Sequence, residues 1–533
     1  MMDGLTMGSV IRRAATLHPQ RTAITYEGER YTYRQYNERV NRAAHALSGL
    51  GVEFGDHVAI LGRNSIQYLE LSHACAKLGA VFGTINWRLA PREVSFIVTD
   101  GDSKILVVEA GFQDLLRPVL DELAGITLVV FDGPATLPGA LDYDAVTAQA
   151  GTAEPDVDVN SDDEALIMYT SGTTGLPKGA VLVHGNICWD AMSYLTYATP
   201  QTTDSALVSM PMNHVSGLHM IVNAFFVRGL PIVVMRQWDP EQACQLIEKY
   251  RITQACILVA PMQQLLDFPG LADYDLSSLR TVLTAAAKYD RAFPATVMHK
   301  LGLQHLWFAY GLTEASPMVT VTEYAGEMIE KENTLGRAVW YDDVRIVDDN
   351  DEELPVGEKG EIVVRGPNVF RGYYKRDDVN REVLRGGWLH TGDIGCVDED
   401  GYLFFVDRKK DMIKSGGENV FSLEVEIGLL RANPELAEVA VVGVPHERLG
   451  EAVNAFVVLD PGYELTPEDL LSRAREHLAG YKLPKDVHFR EELPKNVSGK
   501  VIKRQLRAEA VGESVIDVAA VGGADARHAG VRR

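Results

Sequence analysis

The sequence predicts an α/β fold in two parts: a large N-terminal domain of mixed α/β sheets that ends in a β-subdomain, then a small C-terminal α/β domain. Three observations predict it. Strand-like apolar runs alternate with helix-like segments through the first third of the chain. After residue 340 the pattern turns strand-rich. Beyond a charged run at 407–411, a shorter strand–helix alternation reaches about residue 508. A length of 533 residues also asks for more than one domain. The expected division is 1–409, 410–510 and a tail, 511–533, rich in Gly, Ala and Val and expected to fray.

The elements follow in order. Residues 26–31 read as a hairpin turn between strands. Residues 57–61 form a strand, and 65–78 a helix capped by Asn64 or Ser65. Strands follow at 105–108 and 127–131, with 112–123 between them mainly helical despite Pro118. Residues 133–163, rich in Pro, Gly, Ala and Asp, read as a surface loop. The apolar run 165–168 is a buried strand. Asp239-Pro240 starts a helix with good cap chemistry, and 255–259 is the next strand. The β-subdomain has strands at 344–347, 361–364 and 402–406. The C-terminal part has a helix at 424–430, strands at 437–444 and 452–459, and a helix at 468–477.

Composition narrows the function class. A formal charge of −23 disfavours a general nucleic-acid or membrane-surface binder. The five cysteines form no CxxC pair and sit at no zinc-ligand spacing, so they read as reduced thiols. The N-terminus lacks the apolar core of a signal peptide, and no apolar run approaches a membrane span. A cytoplasmic enzyme is expected.

The most informative stretch is 170–179, Thr-Ser-Gly-Thr-Thr-Gly-Leu-Pro-Lys-Gly. Glycines let backbone N–H groups approach phosphate oxygens, hydroxyls donate to them, and Lys178 adds a positive charge. It is not a P-loop: Pro177 stands where the second glycine should be, and Gly179 follows Lys178 in place of Ser or Thr. Six further motifs follow in order: Pro211-Met212-Asn213-His214, Tyr310-Gly311-Leu312-Thr313-Glu314, Thr391-Gly392-Asp393, Asp407-Arg408, Lys414-Ser415-Gly416-Gly417-Glu418-Asn419, and Pro494-Lys495-Asn496-Val497-Ser498-Gly499-Lys500.

The ordered set resembles the adenylate-forming superfamily of acyl-CoA synthetases, firefly-type luciferases and peptide-synthetase adenylation domains, and is closest to the acyl-CoA synthetases. The resemblance covers about residues 10–508. It implies an ATP-dependent acid–CoA ligase that makes an acyl-adenylate and pyrophosphate, then a thioester and AMP. ATP, Mg²⁺ and coenzyme A are the implied cofactors, and a small-molecule carboxylic acid is the substrate. Thr170, Ser171, Gly172, Thr173, Thr174, Gly175 and Lys178 would hold the ATP phosphates. Thr174 and Glu314 would hold Mg²⁺ through hard oxygen ligands. Ala286, Ala287, Tyr310, Gly311 and Thr313 would border the nucleotide, Tyr310 by stacking on adenine and Thr313 at the α-phosphate. Asp393 would accept the ribose hydroxyls, and Arg408 would touch ribose or phosphate. Lys500 would reach the carboxylate and the α-phosphate during attack. The resemblance also implies that the small domain is a mobile lid hinged at Lys410. Rotation would carry Lys500 out and bring Lys414, Gly416 and Gly417 in to guide the thiol. His214 and Lys414 join Lys500, Thr174 and Glu314 as the catalytic set.

The acid pocket would be lined by Asn213, His214, Ser216, Ala285, Lys288, Ala309 and Gly311. Here the chain departs from the family pattern. Ala285-Ala286-Ala287-Lys288-Tyr289 stands where a Gly-Gly-Ala-Pro-like run is usual, and Asn213 replaces an aromatic or aliphatic residue. A small, polar or aromatic acid is therefore expected. Only residues 501–533 follow Lys500, too few for a carrier domain, so free CoA is the expected acceptor. A separate carrier protein, a non-thiol nucleophile, luciferase-like oxidation and a homodimer all stay open.

Overall fold

In the computed structural model, the described residues are 5–170, 177–285, 292–325, 331, 334–495 and 501–512. They divide into two compact units. The first runs from the N-terminus to Arg345 and adds Val363–His390 and Glu399–Phe404; the second comprises Ile346–Ile362, Thr391–Asp398 and the chain from Phe405 onward.

The first unit holds two sheets. One has eight strands in the order Gly372–Tyr373, Lys178–Val183, Glu164–Thr170, Val81–Ile85, His57–Leu61, Ser103–Glu109, Thr127–Phe131 and Leu141–Asp142. From Glu164–Thr170 onward the pairing is parallel, and the two strands at the other edge are antiparallel. The inner strands are mostly apolar, as parallel strands covered on both faces require; His57–Leu61 is buried at every position. In the other sheet, Thr22–Tyr26, Ile232–Val234, Ala206–Val208, Gln254–Cys256, Thr281–Ala285 and His305–Gly311 are adjacent and parallel. Met318–Glu323 and Thr334–Ala338 continue it antiparallel beyond His305–Gly311.

Local chemistry explains the boundaries. Glu27 and Gly28 both take positive φ, 47° and 92°, which closes the hairpin between Thr22–Tyr26 and Glu29–Thr32 in the primed-turn manner. Ser65, not Asn64, caps the helix Ile66–Leu78: its hydroxyl accepts from Tyr68 N–H at 3.1 Å. The Asn64 amide donates to Met210 O and Met235 O, and its carbonyl accepts from Met212 N–H. Asp239 caps Pro240–Tyr250 as expected.

Two expectations need correction and one gains detail: residues 112–123 are mainly helical, as expected, but in short turns rather than one continuous helix. A single α-turn, Gln113–Leu116, passes into a 3₁₀ turn, Arg117–Val119, because Pro118 lacks an N–H for the continuing ladder. The stretch 133–163 contains a helix, Tyr143–Ala148, capped by Asp142 and anchored by the buried Tyr143 hydroxyl, which donates to Glu70 at 3.0 Å. Val259 begins the helix Val259–Leu266; the strand before it stops at Cys256.

In the second unit Gly450–Leu459 is central. It pairs antiparallel with Leu436–His446 and parallel with Asp486–Arg490, and meets Ile413–Ser415 at Ser415↔Gly450. Both faces of the strand Leu436–His446 are buried along its middle, residues 440–444. Val441 belongs to one apolar cluster with Val425, Leu429 and Leu470, while Ala440 and Val442 belong to another with Phe456 and Leu506. The period of two along a strand divides them. Helices Ser422–Ala432 and Pro467–Ala474 supply the first cluster, and Lys503–Ala510 supplies the second.

Candidate active site

The glycine-rich stretch joins two antiparallel strands. Thr170 and Lys178 are register partners at the ends of Glu164–Thr170 and Lys178–Val183. A P-loop instead leads from a strand into a helix, so the topology agrees with the sequence in excluding one. Ser171, Gly172, Thr173, Thr174 and Gly175 lie outside the described residues. Gly179 permits close strand packing: a Cβ there would stand 2.7 Å from Ile167 Cδ1.

Next to Lys178–Val183 runs Gly372–Tyr373, with Tyr373 opposite Ala180. The Tyr373 phenol donates to Glu314 Oε1 at 2.6 Å, and the Lys178 ammonium sits 5.5 Å from the centre of the Tyr373 ring. Burial first, and then the Glu314 charge, push the ionisation of Tyr373 far above its ordinary value, so it stays a donor. Glu314 is buried on the turn after His305–Gly311. Gly311 makes that turn possible, since a Cβ would lie 1.6 Å from the Pro317 carbonyl oxygen. Leu312 N–H donates to the same oxygen at 3.0 Å. The turn is moored from behind. Asn368 Nδ2 donates to Ala315 O and Met318 O, Ser316 Oγ donates to Asn368 O, and Phe370 N–H donates to Glu314 O. Thr313 is half-buried on this turn, and Tyr310 is half-buried at the end of the strand before it.

The acid-pocket residues fall in two groups. Ala285 and Ala309 are register partners on adjacent parallel strands. Asn213 is buried, and its carbonyl accepts from Thr84 Oγ1 at 3.4 Å. Half-buried His214 donates its N–H to Pro211 O at 3.1 Å and accepts from Gly217 and Leu218 N–H. Ser216 opens a π-helical turn, Ser216–Met220, a wider winding often found at functional sites. Gly217 allows it, because a Cβ would stand 2.2 Å from Pro211 O. Ala286, Ala287 and Lys288 lie outside the described residues, as does Lys500.

The second unit carries the remaining candidates. Arg408 Nε pairs with Asp393 Oδ1 at 2.7 Å; Asp393 is buried and Arg408 is exposed. Gly392, at φ 69°, turns Asp393 inward, and its N–H donates to Glu361. Lys409 also pairs with Glu361 at 3.0 Å, beside the exposed Lys410. Gly416 and Gly417, at φ 63° and 89°, close the hairpin Ile413–Ser415/Glu418–Val420 that displays the exposed Lys414. Lys414 N–H donates to Glu451 Oε2 at 2.8 Å.

The motifs include Asp407 without giving it a role, and they omit Tyr373 altogether. Asp407 is buried and accepts from Ser422 Oγ and from Leu423 N–H, capping the helix Ser422–Ala432 from a distance. Tyr373 reaches Glu314 across 59 residues of sequence. Nothing in the local sequence Gly372-Tyr373-Tyr374 points to residue 314.

Comparisons with known proteins agree with this architecture. A family model described as AMP-binding enzyme matches residues 11–374, and one described as AMP-binding enzyme C-terminal domain matches 424–500. The chain is similar to a feruloyl-CoA synthase from Amycolatopsis sp, at 39% identity over 94% of this chain and 98% of that protein. It is 38% identical to an indoleacetate–CoA ligase from Aromatoleum aromaticum, over 93% of this chain and 96% of that one. Its fold matches the crystal structure of ATP-bound MatB from Rhodopseudomonas palustris with a TM-score of 0.85, at 30% identity, covering 94% of this chain and 98% of that one.

Proposed function

The chain belongs to the AMP-binding enzyme family, and from that footing we propose how its residues divide the work of an acyl-CoA synthetase. It is an ATP-dependent acid–CoA ligase of the AMP-forming class. A substrate carboxylate oxygen attacks the α-phosphorus of ATP and pyrophosphate leaves. The CoA sulfur then attacks the acyl carbonyl and AMP leaves.

The observation that carries the residue assignment is the Lys178–Tyr373–Glu314 grouping beside the Thr170–Lys178 hairpin. A cation lies over the ring of one tyrosine and a carboxylate accepts from its hydroxyl, so a group for phosphate and a group for a metal come together. Lys178 and the loop 171–175 hold the outer phosphates. Glu314 and Thr174 take Mg²⁺. The Glu314 carboxylate fits that role: it is buried, Tyr373 holds Oε1, and among the described residues nothing donates to Oε2. When bound, the ion offsets phosphate charge. Tyr310 stacks on adenine, and Thr313 meets the α-phosphate. Asp393 exchanges Arg408 for the ribose hydroxyls, which frees the guanidinium for the nucleotide. Lys500 meets the charge that develops at the α-phosphate, and Lys414, Gly416 and Gly417 guide the thiol once the lid has turned at Lys410.

The acid is small and polar or aromatic. Buried Asn213 beside His214, and the small Ala285–Ala309 pair, support this. So do relatives named for feruloyl and indoleacetate substrates. Pyrophosphate release across a panel of acids, with and without CoA, tests the reading; equal rates on long unsubstituted fatty acids would overturn the polar pocket. Lys500→Ala is expected to abolish adenylate formation while sparing thioester formation from supplied acyl-adenylate. Equal loss of both half-reactions would contradict the lid assignment.

A further inference from the structure

We propose that Tyr373 is a positioning residue for the metal-binding carboxylate, holding Glu314 by one oxygen so that the other faces the divalent cation that accompanies ATP. This rests on the reading of Glu314 as the cation ligand.

Tyr373 is itself held from several sides. Asn380 brackets its backbone: Oδ1 accepts the Tyr373 N–H at 2.7 Å, and Nδ2 donates to the Tyr373 carbonyl at 2.8 Å. Gly372 lies at φ 140°, and a Cβ there would stand 2.9 Å from Asn380 Nδ2, so the approach needs glycine. The pairing with Lys178–Val183 sets the register. The Phe370 ring packs edge-on against the phenol at 5.0 Å between centroids, while the Phe370 N–H donates to the Glu314 carbonyl at 2.9 Å. One short segment therefore grips both the main chain and the side chain of Glu314.

A carboxylate without such a partner rotates and offers either oxygen. A charge-assisted hydrogen bond to one oxygen selects a rotamer and leaves the second oxygen's lone pairs for a metal. The ring has a second use. By drawing the Lys178 ammonium onto its face, it offers the lysine a site other than an ion pair with Glu314, which would compete with the cation.

The test uses the full chain with Mn²⁺ as probe, its affinity read by electron paramagnetic resonance in the presence of α,β-methylene ATP. Tyr373→Phe keeps the ring and its packing and removes only the hydroxyl. It is expected to weaken Mn²⁺ binding by about 10–100-fold, the usual range for an outer-shell partner. The Mg²⁺ concentration that half-saturates pyrophosphate release should rise by a similar factor, with kcat recovered at saturating Mg²⁺ and the metal-free melting temperature unchanged. A purely structural tyrosine would lower the melting temperature and leave metal affinity alone, and that result would overturn the proposal. Glu314→Gln separates the two levels. If it binds Mn²⁺ like the wild type, the ligand reading itself fails. If it loses the ion while Tyr373→Phe keeps it, only the positioning role falls.

Discussion

Asp342→Asn is expected to make the protein more stable at neutral pH. Asp342 lies behind the Glu314 turn and accepts a hydrogen bond from Asn368 Nδ2 at 2.9 Å. Burial pushes its carboxyl up from the ordinary 3.8 to about 8, against the lowering effect of Asn368. Its neighbour Asp190, fully buried with Oδ1 accepting from Met318 N–H, is pushed upward too, by burial first and Asp342 second. The sign follows from linkage. At pH 7 the folded protein keeps a proton on Asp342 that the unfolded chain releases, so this group costs stability increasingly as pH rises from about 4 to about 8. Each pH unit above the unfolded value costs roughly 1.4 kcal/mol, or about 4 kcal/mol at pH 7. Asparagine has the same shape, keeps the acceptor for Asn368 and needs no proton; its amide N–H2 takes the place of Oδ1, which has no partner among the described residues, and this offsets part of the gain. Part of the penalty relaxes through local solvation, so a gain of about 2–4 kcal/mol is expected at pH 7. Calorimetric melting of both proteins from pH 4 to pH 8 checks it. The gain should grow by roughly 1.4 kcal/mol per pH unit and vanish near pH 4. A variant no more stable than the wild type at pH 7.5, or a gain that does not change with pH, would refute the buried neutral acid. Pyrophosphate release should stay intact, since the Asn368 mooring is preserved.

Acid should destabilise the protein through a different set of groups. Burial holds His73 and His184 at about 4 and His219 at about 3, and neither ring nitrogen of His184 has a partner among the described residues. Their stabilising contribution is full above 6.5 and is lost as pH falls from there toward 4, because the unfolded chain takes up the protons. His184→Leu should remove one proton from the uptake measured on unfolding at pH 5.5; an unchanged uptake would show that His184 is charged in the fold. Gly311→Ala should cut pyrophosphate release at least about 100-fold, since a Cβ 1.6 Å from a backbone oxygen must displace the Glu314 turn; wild-type kcat would disprove this. Ser65→Ala should lower stability by about 1 kcal/mol through loss of a helix cap, with catalysis unaffected, as read by denaturant unfolding and steady-state rates.

Local chemistry was legible wherever a single side chain or a simple period decides an element. The strands His57–Leu61 and Thr127–Phe131 are found where their apolar runs begin and end, and Ser65 and Asp239 cap the helices Ile66–Leu78 and Pro240–Tyr250. Where the reading failed, a distant partner intervened or an apolar run was ambiguous. The helix Tyr143–Ala148 is stabilised by Tyr143 reaching Glu70, which composition cannot reveal. Val259 ends an apolar run that reads as a strand, yet it starts a helix.

By itself, the sequence determined the α/β class, a phosphate-binding character for residues 170–179 and the order of the motifs, because glycine, hydroxyl and lysine act locally; the nucleotide chemistry came from the resemblance that the ordered motifs carry. Only the tertiary structure decided which groups meet. Tyr373 donates to Glu314, Asn368 moors the turn from behind, and Arg408 pairs with Asp393. Hydrogen bonds and ion pairs act over about 3 Å of space, whatever the separation along the chain, so these partnerships exist only once strands far apart in sequence lie side by side.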